Sequence, residues 1–188
     1  SQQGTKELKK FGFKVSHLKQ KALDINQGFF KRINSNKPYI RAKIAMSKDG
    51  KTSFKNKRNK WITSTASRKD AQHYRAISDL IITGSGTLMH DNPSLNVRNN
   101  KIINTKGFNQ PHKAVLINSS NDLTRMKFFQ DKTKKIIFTT QGKKFDGLKK
   151  MPNTEISFLK EKGSKVDLKD LASHLNKSNY QDLSLIHI

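Results

Sequence analysis

The chain has 188 residues, enough to bury one substantial core and a fragment of a neighbouring domain. It carries 38 Lys and Arg against 14 Asp and Glu, a formal net charge of +24, yet the lysines are scattered and read first as solvated faces. Cysteine is absent and no run of about eighteen apolar residues occurs, which excludes a disulfide framework, a cysteine-ligated metal centre and an apolar membrane span. If the charge has a binding use, it points to a polyanion. No aromatic-interleaved RNA-binding signature accompanies it, so a phosphorylated small molecule is the more economical partner and nucleic acid the disfavoured one. The polar N-terminus lacks an apolar signal region, the composition of a cytoplasmic protein.

Ser1 to Lys10 reads as a polar helix end, with Leu8 and Phe11 adding a little apolar surface. F-G-F-K-V-S follows as a short alternating strand with Phe11, Phe13 and Val15 on one face. Leu18 to Arg32 then reads as a helix, its Leu18, Ala22, Ile25 and Phe29 forming one stripe. A strand with one or two helices is too little to fold alone, and Ser35, Asn36 and Pro38 mark a junction.

Tyr39 to Ser47 is the next expected strand. Arg41, Lys43, Ala45 and Ser47 share a face suited to a pocket, whereas Ile40, Ala42, Ile44 and Met46 form an apolar face expected to be core. Lys48-Asp49-Gly50 supplies a turn. Trp61 precedes Ile62-Thr63-Ser64, and Ser64 is a good N-cap for a helix over Thr65 to Ile77. On that helix Arg68, Gln72 and Arg75 share a face, in the simplest reading a solvated basic stripe. Asp79 to Thr83 has the composition of a buried strand, followed by a glycine-rich turn at Gly84-Ser85-Gly86-Thr87 and a polar loop closing on Arg98.

After a polar loop over Asn99 to Gln110, strands are expected at Lys113 to Asn118, Lys135 to Thr140 and Thr154 to Leu159. A helix spans Asp167 to Asn176, with Val166, Leu168, Leu171 and Leu175 as its buried face. Strands alternating with helices imply an α/β architecture with a largely parallel sheet.

The words A-M-S-K-D-G, K-W-I-T-S and T-L-M-H-D-N-P-S-L-N-V-R, together with N-Q-G-F-F-K-R at Asn26 to Arg32, resemble the C-terminal reductase domain of the bacterial bifunctional riboflavin-biosynthesis deaminase–reductase. That resemblance implies a dihydrofolate-reductase-like three-layer sandwich. It makes residues 1–36 a deaminase remnant with its junction and residues 37–188 an incomplete reductase domain. The chain is then expected to be truncated at both ends, with its last strands missing and an apolar edge unpaired. Residues 183–188 read as foreign sequence. Without cysteine, the zinc chemistry of the deaminase half is excluded.

The implied reaction is NADPH-dependent reduction of 5-amino-6-(5-phosphoribosylamino)uracil to the ribitylamino compound. The alternatives are a stand-alone reductase of the same fold acting before deamination, and a basic nucleic-acid-binding module. By the resemblance, Ala45, Trp61, Thr87, Asp91 and Ser119 contact the dinucleotide, and Lys43, Asn59, Arg75, Leu95 and Arg98 contact the phosphorylated substrate. Lys43 and Asp91 are the catalytic candidates. No metal is expected, and a homo-oligomer is compatible with the family. Asn59 stands where the family has serine, Asn118 where it has aspartate, and the family's substrate-contacting glutamate has no counterpart.

Overall fold

A computed structural model describes residues 2–16, 26–52, 62–118, 123–140 and 145–186. The elements in order are α1 (Gln2–Lys10), α2 (Gln27–Ser35), β1 (Tyr39–Lys43), α3 (Thr65–Ala76), β2 (Leu80–Gly84), α4 (Ser85–Asp91) and α5 (Asn100–Ile103). They continue with β3 (His112–Leu116), a 3-10 turn (Lys127–Phe129), β4 (Lys135–Thr140), α6 (Asp146–Lys149), β5 (Thr154–Leu159), β6 (Glu161–Lys162), β7 (Lys165–Val166), α7 (Leu168–Lys177) and β8 (Asp182–Ile186).

Six strands form one sheet in the order β1-β8-β2-β3-β4-β5, every neighbouring pair parallel. A parallel sheet is covered on both faces, so its interior strands read as continuous apolar runs rather than alternations. L-I-I-T in β2 and I-I-F in β4 are such runs. Alternate residues then feed two cores. Ile81, Val115 and Ile137 pack with Leu88 of α4, Phe128, Phe129 and Leu148 of α6 on one side. Leu80, Ile82, Ala114, Ile136 and Phe138 pack with Leu171 and Leu175 of α7 on the other. The result is the expected three-layer α/β sandwich. Each of these large side chains adds about 1.5–3 kcal/mol by leaving water.

Several expectations fail locally. Phe11 to Ser16 is not a strand: the chain turns at Gly12 with φ +80°, and Phe11 and Phe13 are exposed. Alternation alone cannot make a strand without a partner ladder. Gly84 to Thr87 is not an open turn, because Gly84 N-caps α4 and the helix begins at Ser85. The polar stretch after Arg98 contains α5, capped by the Asn99 side chain accepting from the Lys101 amide. Leu168 lies outward at 62% exposure, since as the first residue of α7 it precedes the face that packs. The strand expected over Tyr39 to Ser47 ends at Lys43, and burial over this stretch is reversed: Ile40, Ile44 and Met46 are exposed, while Arg41, Lys43, Ala45 and Ser47 are half-buried.

Two findings concern the ends. Residues 182–186, of which 183–186 fall in the stretch expected to be foreign, form β8 between β1 and β2, with Leu183 and Ser184 buried. β8 is thus paired on both sides, and among the described residues β1 and β5 are the edges of the sheet. The leading α2 docks on the same region. A Cβ at Gly28 would lie 3.0 Å from both Gln181 O and Asp182 Oδ2, so only glycine lets the helix approach. Arg32 donates to Asn176 O at 2.8 Å, to Ser178 O at 2.5 Å and to Tyr180 O, satisfying carbonyls around the C-terminal end of α7.

Candidate functional site

The half-buried face of β1 carries two cations with different surroundings. Arg41 is engaged: it pairs with Asp182 across the β1–β8 ladder and lies 4.7 Å over the Tyr39 ring. Burial nevertheless raises the Asp182 pKa, with Arg41 opposing. Lys43 ends the strand. Burial lowers its pKa, Arg75 lowers it further, and Asp91 opposes both. Beyond Ala45 the chain closes a turn, with Ser47 N–H donating to Lys51 O at 2.9 Å and Gly50 at φ +79°.

Helix α3 starts as its sequence dictates, the Ser64 hydroxyl accepting from the Ser67 amide at 3.1 Å. Its basic stripe is not simply solvated. Arg68 donates to Thr63 O at 2.6 Å and to Thr65 Oγ1 at 3.0 Å, bracing the helix entrance. Gln72 Oε1 accepts from the Arg98 amide at 2.7 Å. Arg75 reaches Asn96 O at 3.4 Å through one terminal nitrogen, and its Nε is buried without a partner. Burial, and then Arg98, lower the Arg75 pKa to about 10.

The loop that this helix grips follows α4. Thr87 and Asp91 are one helical turn apart and share a face. Asn92, at φ +41°, ends the helix, and its side chain accepts from the Lys127 amide at 2.8 Å. Leu95 is only 2% exposed and packs into the core, so its backbone rather than its side chain is available to a ligand. It also sits at φ +59°, a left-handed conformation that a leucine holds only under tertiary constraint. The constraint is visible. Val97 N–H donates to Gln110 Oε1 at 2.8 Å, and Gln110 Nε2 donates back to Val97 O at 2.9 Å. Lys113 Nζ donates to Ser94 O at 3.0 Å and to Asn96 Oδ1 at 3.1 Å.

Lys43, Arg75, Asp91 and Arg98, from separate segments, are thus linked electrostatically: Arg75 and Asp91 act on Lys43, and Arg98 acts on Arg75. Arg98 itself is exposed at the mouth of the loop. Asn59, Trp61 and Ser119 lie outside the described residues. Asn118, beside that serine, donates to Ser164 O at 2.8 Å. Sequence reasoning missed Gln72 as a loop clamp, and it missed Gln110 and Lys113 altogether. Lys113 in H-K-A-V-L offered one signal, a lysine inside an apolar strand, but among 38 basic residues it does not stand out. No group of three or more His, Asp and Glu suited to a metal occurs among the described residues.

Residues 38–186 match the family described as the RibD C-terminal domain. The chain belongs to that family. It is 40% identical over 131 residues to the riboflavin biosynthesis protein RibD of Buchnera aphidicola subsp. Baizongia pistaciae, covering 64% of this chain and 35% of that protein. Among solved structures, Acinetobacter baumannii RibD superposes with a TM-score of 0.75 at 29% identity, over 98% of this chain and 50% of that one. A diaminohydroxyphosphoribosylaminopyrimidine deaminase/5-amino-6-(5-phosphoribosylamino)uracil reductase from Thermotoga maritima superposes at 0.70 with 19% identity, over 97% and 49%, and shares the fold. The chain spans between about a third and half of these relatives. The sandwich is therefore the dihydrofolate-reductase-like fold of RibD reductase domains. Among the described residues no helix is long and apolar enough to cross a membrane.

Proposed function

We propose that this RibD C-terminal domain reduces 5-amino-6-(5-phosphoribosylamino)uracil to its ribitylamino counterpart, with NADPH as the reductant, in the cytoplasm. The observation that carries the reading is the approach of three cations, with Arg75 and Asp91 acting on Lys43 and Arg98 acting on Arg75, and a buried Arg75 N–H left unpartnered. A half-buried Lys43 and Arg75 beside an exposed Arg98 is a net-positive arrangement, unfavourable by itself and relieved by an oxyanion. Its donor set fits a phosphorylated sugar or a dinucleotide.

Ala45, Thr87 and Asp91, with Trp61 and Ser119, are the residues assigned to the dinucleotide, which when bound supplies a hydride for the sugar C1. The chain's own groups handle charge and protons. Arg75 and Arg98 present paired donors to phosphate or uracil oxygens. Reduction of the ring-opened imine requires a proton at the nitrogen attached to C1, and the Lys43 ammonium is the assigned donor. Burial and Arg75 make it a stronger acid than an ordinary lysine. Asp91 opposes that shift and keeps the ammonium protonated until it is needed.

The test follows nicotinamide absorbance with the phosphoribosylaminouracil and either NADPH or NADH. Turnover with NADPH, abolished by Lys43→Met and weakened by Arg98→Ala, is the expected result, with Trp61 fluorescence quenched by NADPH more than by NADH. Strongly salt-dependent binding of RNA or DNA without any cofactor effect would overturn the reading in favour of a nucleic-acid module.

A further inference from the structure

Lys113 is among the largest fully buried side chains, and it lies outside every motif that marks the proposed site. It stands on β3, an interior strand of a sheet covered on both faces, where a lysine is tolerated only with its protons placed; Lys135 on the neighbouring β4 is likewise buried, with Asp131 O and Thr133 O as acceptors. An ammonium has three protons to place. Four acceptors surround that of Lys113: Ser94 O at 3.0 Å, Asn96 Oδ1 at 3.1 Å, Phe128 O at 3.1 Å and Asp131 Oδ2 at 2.5 Å. Asp131 is held in turn by the Thr133 amide at 3.1 Å and the Thr133 hydroxyl at 2.5 Å. Two of the four acceptors belong to the loop between α4 and α5, and the other two to the segment leading into β4.

Stability alone does not require this arrangement. An apolar side chain of similar volume in place of a buried ion pair is often neutral or stabilising. A methionine cannot, however, hold a backbone carbonyl and an amide oxygen of the loop at one point in space. The held residues flank Leu95, whose left-handed backbone needs such constraint. The carbonyl of Asn96 is also the group that Arg75 meets.

We propose that Lys113 is a positioning residue: by holding Ser94 and Asn96 it fixes the loop from Pro93 to Arg98 in the geometry that presents Arg98, beside Arg75, to the phosphorylated ligand. The proposal rests on the reading of Arg98 as a ligand-binding residue, and the test separates the two. In K113M, amide hydrogen exchange at Val97 and Arg98, which are bonded to Gln110 and Gln72, should accelerate about tenfold or more while Leu80–Gly84 stays protected. KM for the phosphoribosylaminouracil should rise about tenfold, with KM for the dinucleotide unchanged and kcat altered less than about threefold. Should K113M fail to fold, N96A removes one loop-side acceptor together with the Asn96 hydrogen bond to Asp131, leaves the Lys113 bonds to Ser94 O, Phe128 O and Asp131 in place, and should show the same pattern more weakly. Unchanged exchange at Val97 and Arg98 in either folded variant overturns the positioning role, whatever the activity. Faster exchange with an unchanged substrate KM overturns its link to the ligand. Absence of turnover in the wild-type chain counts against the proposed reaction alone, and the exchange result still decides whether Lys113 fixes the loop.

Discussion

Lys43 and Lys113 are both taken partly or wholly out of water, and burial lowers the pKa of each. Their surroundings differ in kind. Lys113, on an interior strand, is ringed by oxygen acceptors and a carboxylate that oppose the effect of burial. Lys43, at the end of the edge strand, has no carboxylate within ion-pairing distance among the described residues, and its nearest charged influences are Arg75 and the more modest Asp91. A buried cation with every proton placed serves the architecture. One left half-buried beside another cation is poised for an incoming anion or for proton transfer. Burial alone does not distinguish the two roles; the sign and completeness of the partners do.

The comparison breaks most decisively at the partners. Asp131→Ala leaves the Lys113 ammonium buried without its carboxylate and should cost about 3–5 kcal/mol in chemical denaturation. Lys43→Met removes a half-buried cation from a net-positive group. It should therefore leave the denaturation midpoint nearly unchanged or raise it, while lowering kcat by about 10²–10⁴ through the lost proton donor. If both substitutions acted equally on stability, the contrast would fail.

pH sharpens the same contrast. Burial works to raise the Asp131 pKa, but hydrogen bonds from Lys113 and Thr133 outweigh it and hold the carboxyl below the usual carboxylate range. Its folded pKa lies below its unfolded value, so its contribution is fully present above about pH 4 and is lost as the pH falls further. Thermal unfolding of Asp131→Asn should show less acid sensitivity than wild type below that point. At the other site, Asp91→Asn removes the group that raises the Lys43 pKa, so the alkaline limb of kcat should move to lower pH. Arg98→Ala removes one of the two causes depressing Arg75, and the loss of ligand affinity that sets in above about pH 10 should shift upward. The smallest effect is expected from Ser64→Ala, about 1 kcal/mol from the lost cap of α3, with no change in either pH profile.

Legibility in the sequence follows the same divide. β4 and β5 appear where expected because their composition already marks them as strands. The cap at Ser64 was legible because a cap is a contact between residues two or three apart. β1 misled: alternation located its two faces, but which face is covered depends on what packs over an edge strand, and the apolar face is the exposed one. β8 misled more strongly. L-S-L-I is too short to declare itself, and its burial comes wholly from β1 and β2, distant in the chain. Of the site residues named from motifs, Lys43, Arg75, Asp91 and Arg98 come together, Leu95 turns its side chain into the core, and Asn59, Trp61 and Ser119 lie outside the described residues.

By itself, then, the sequence determined the α/β class, most strand positions and the motif words that place the chain in the RibD C-terminal domain family, since these rest on local pattern and on short spacings. Tertiary structure alone decided that Lys113 and Lys135 are partnered core residues while Lys43 lies half-buried beside Arg75. Contacts such as Lys113 to Asp131, Gln110 to Val97 and Gln72 to Arg98 join residues that no periodicity relates. A charge acquires its role from the groups that folding brings within a few ångströms of it.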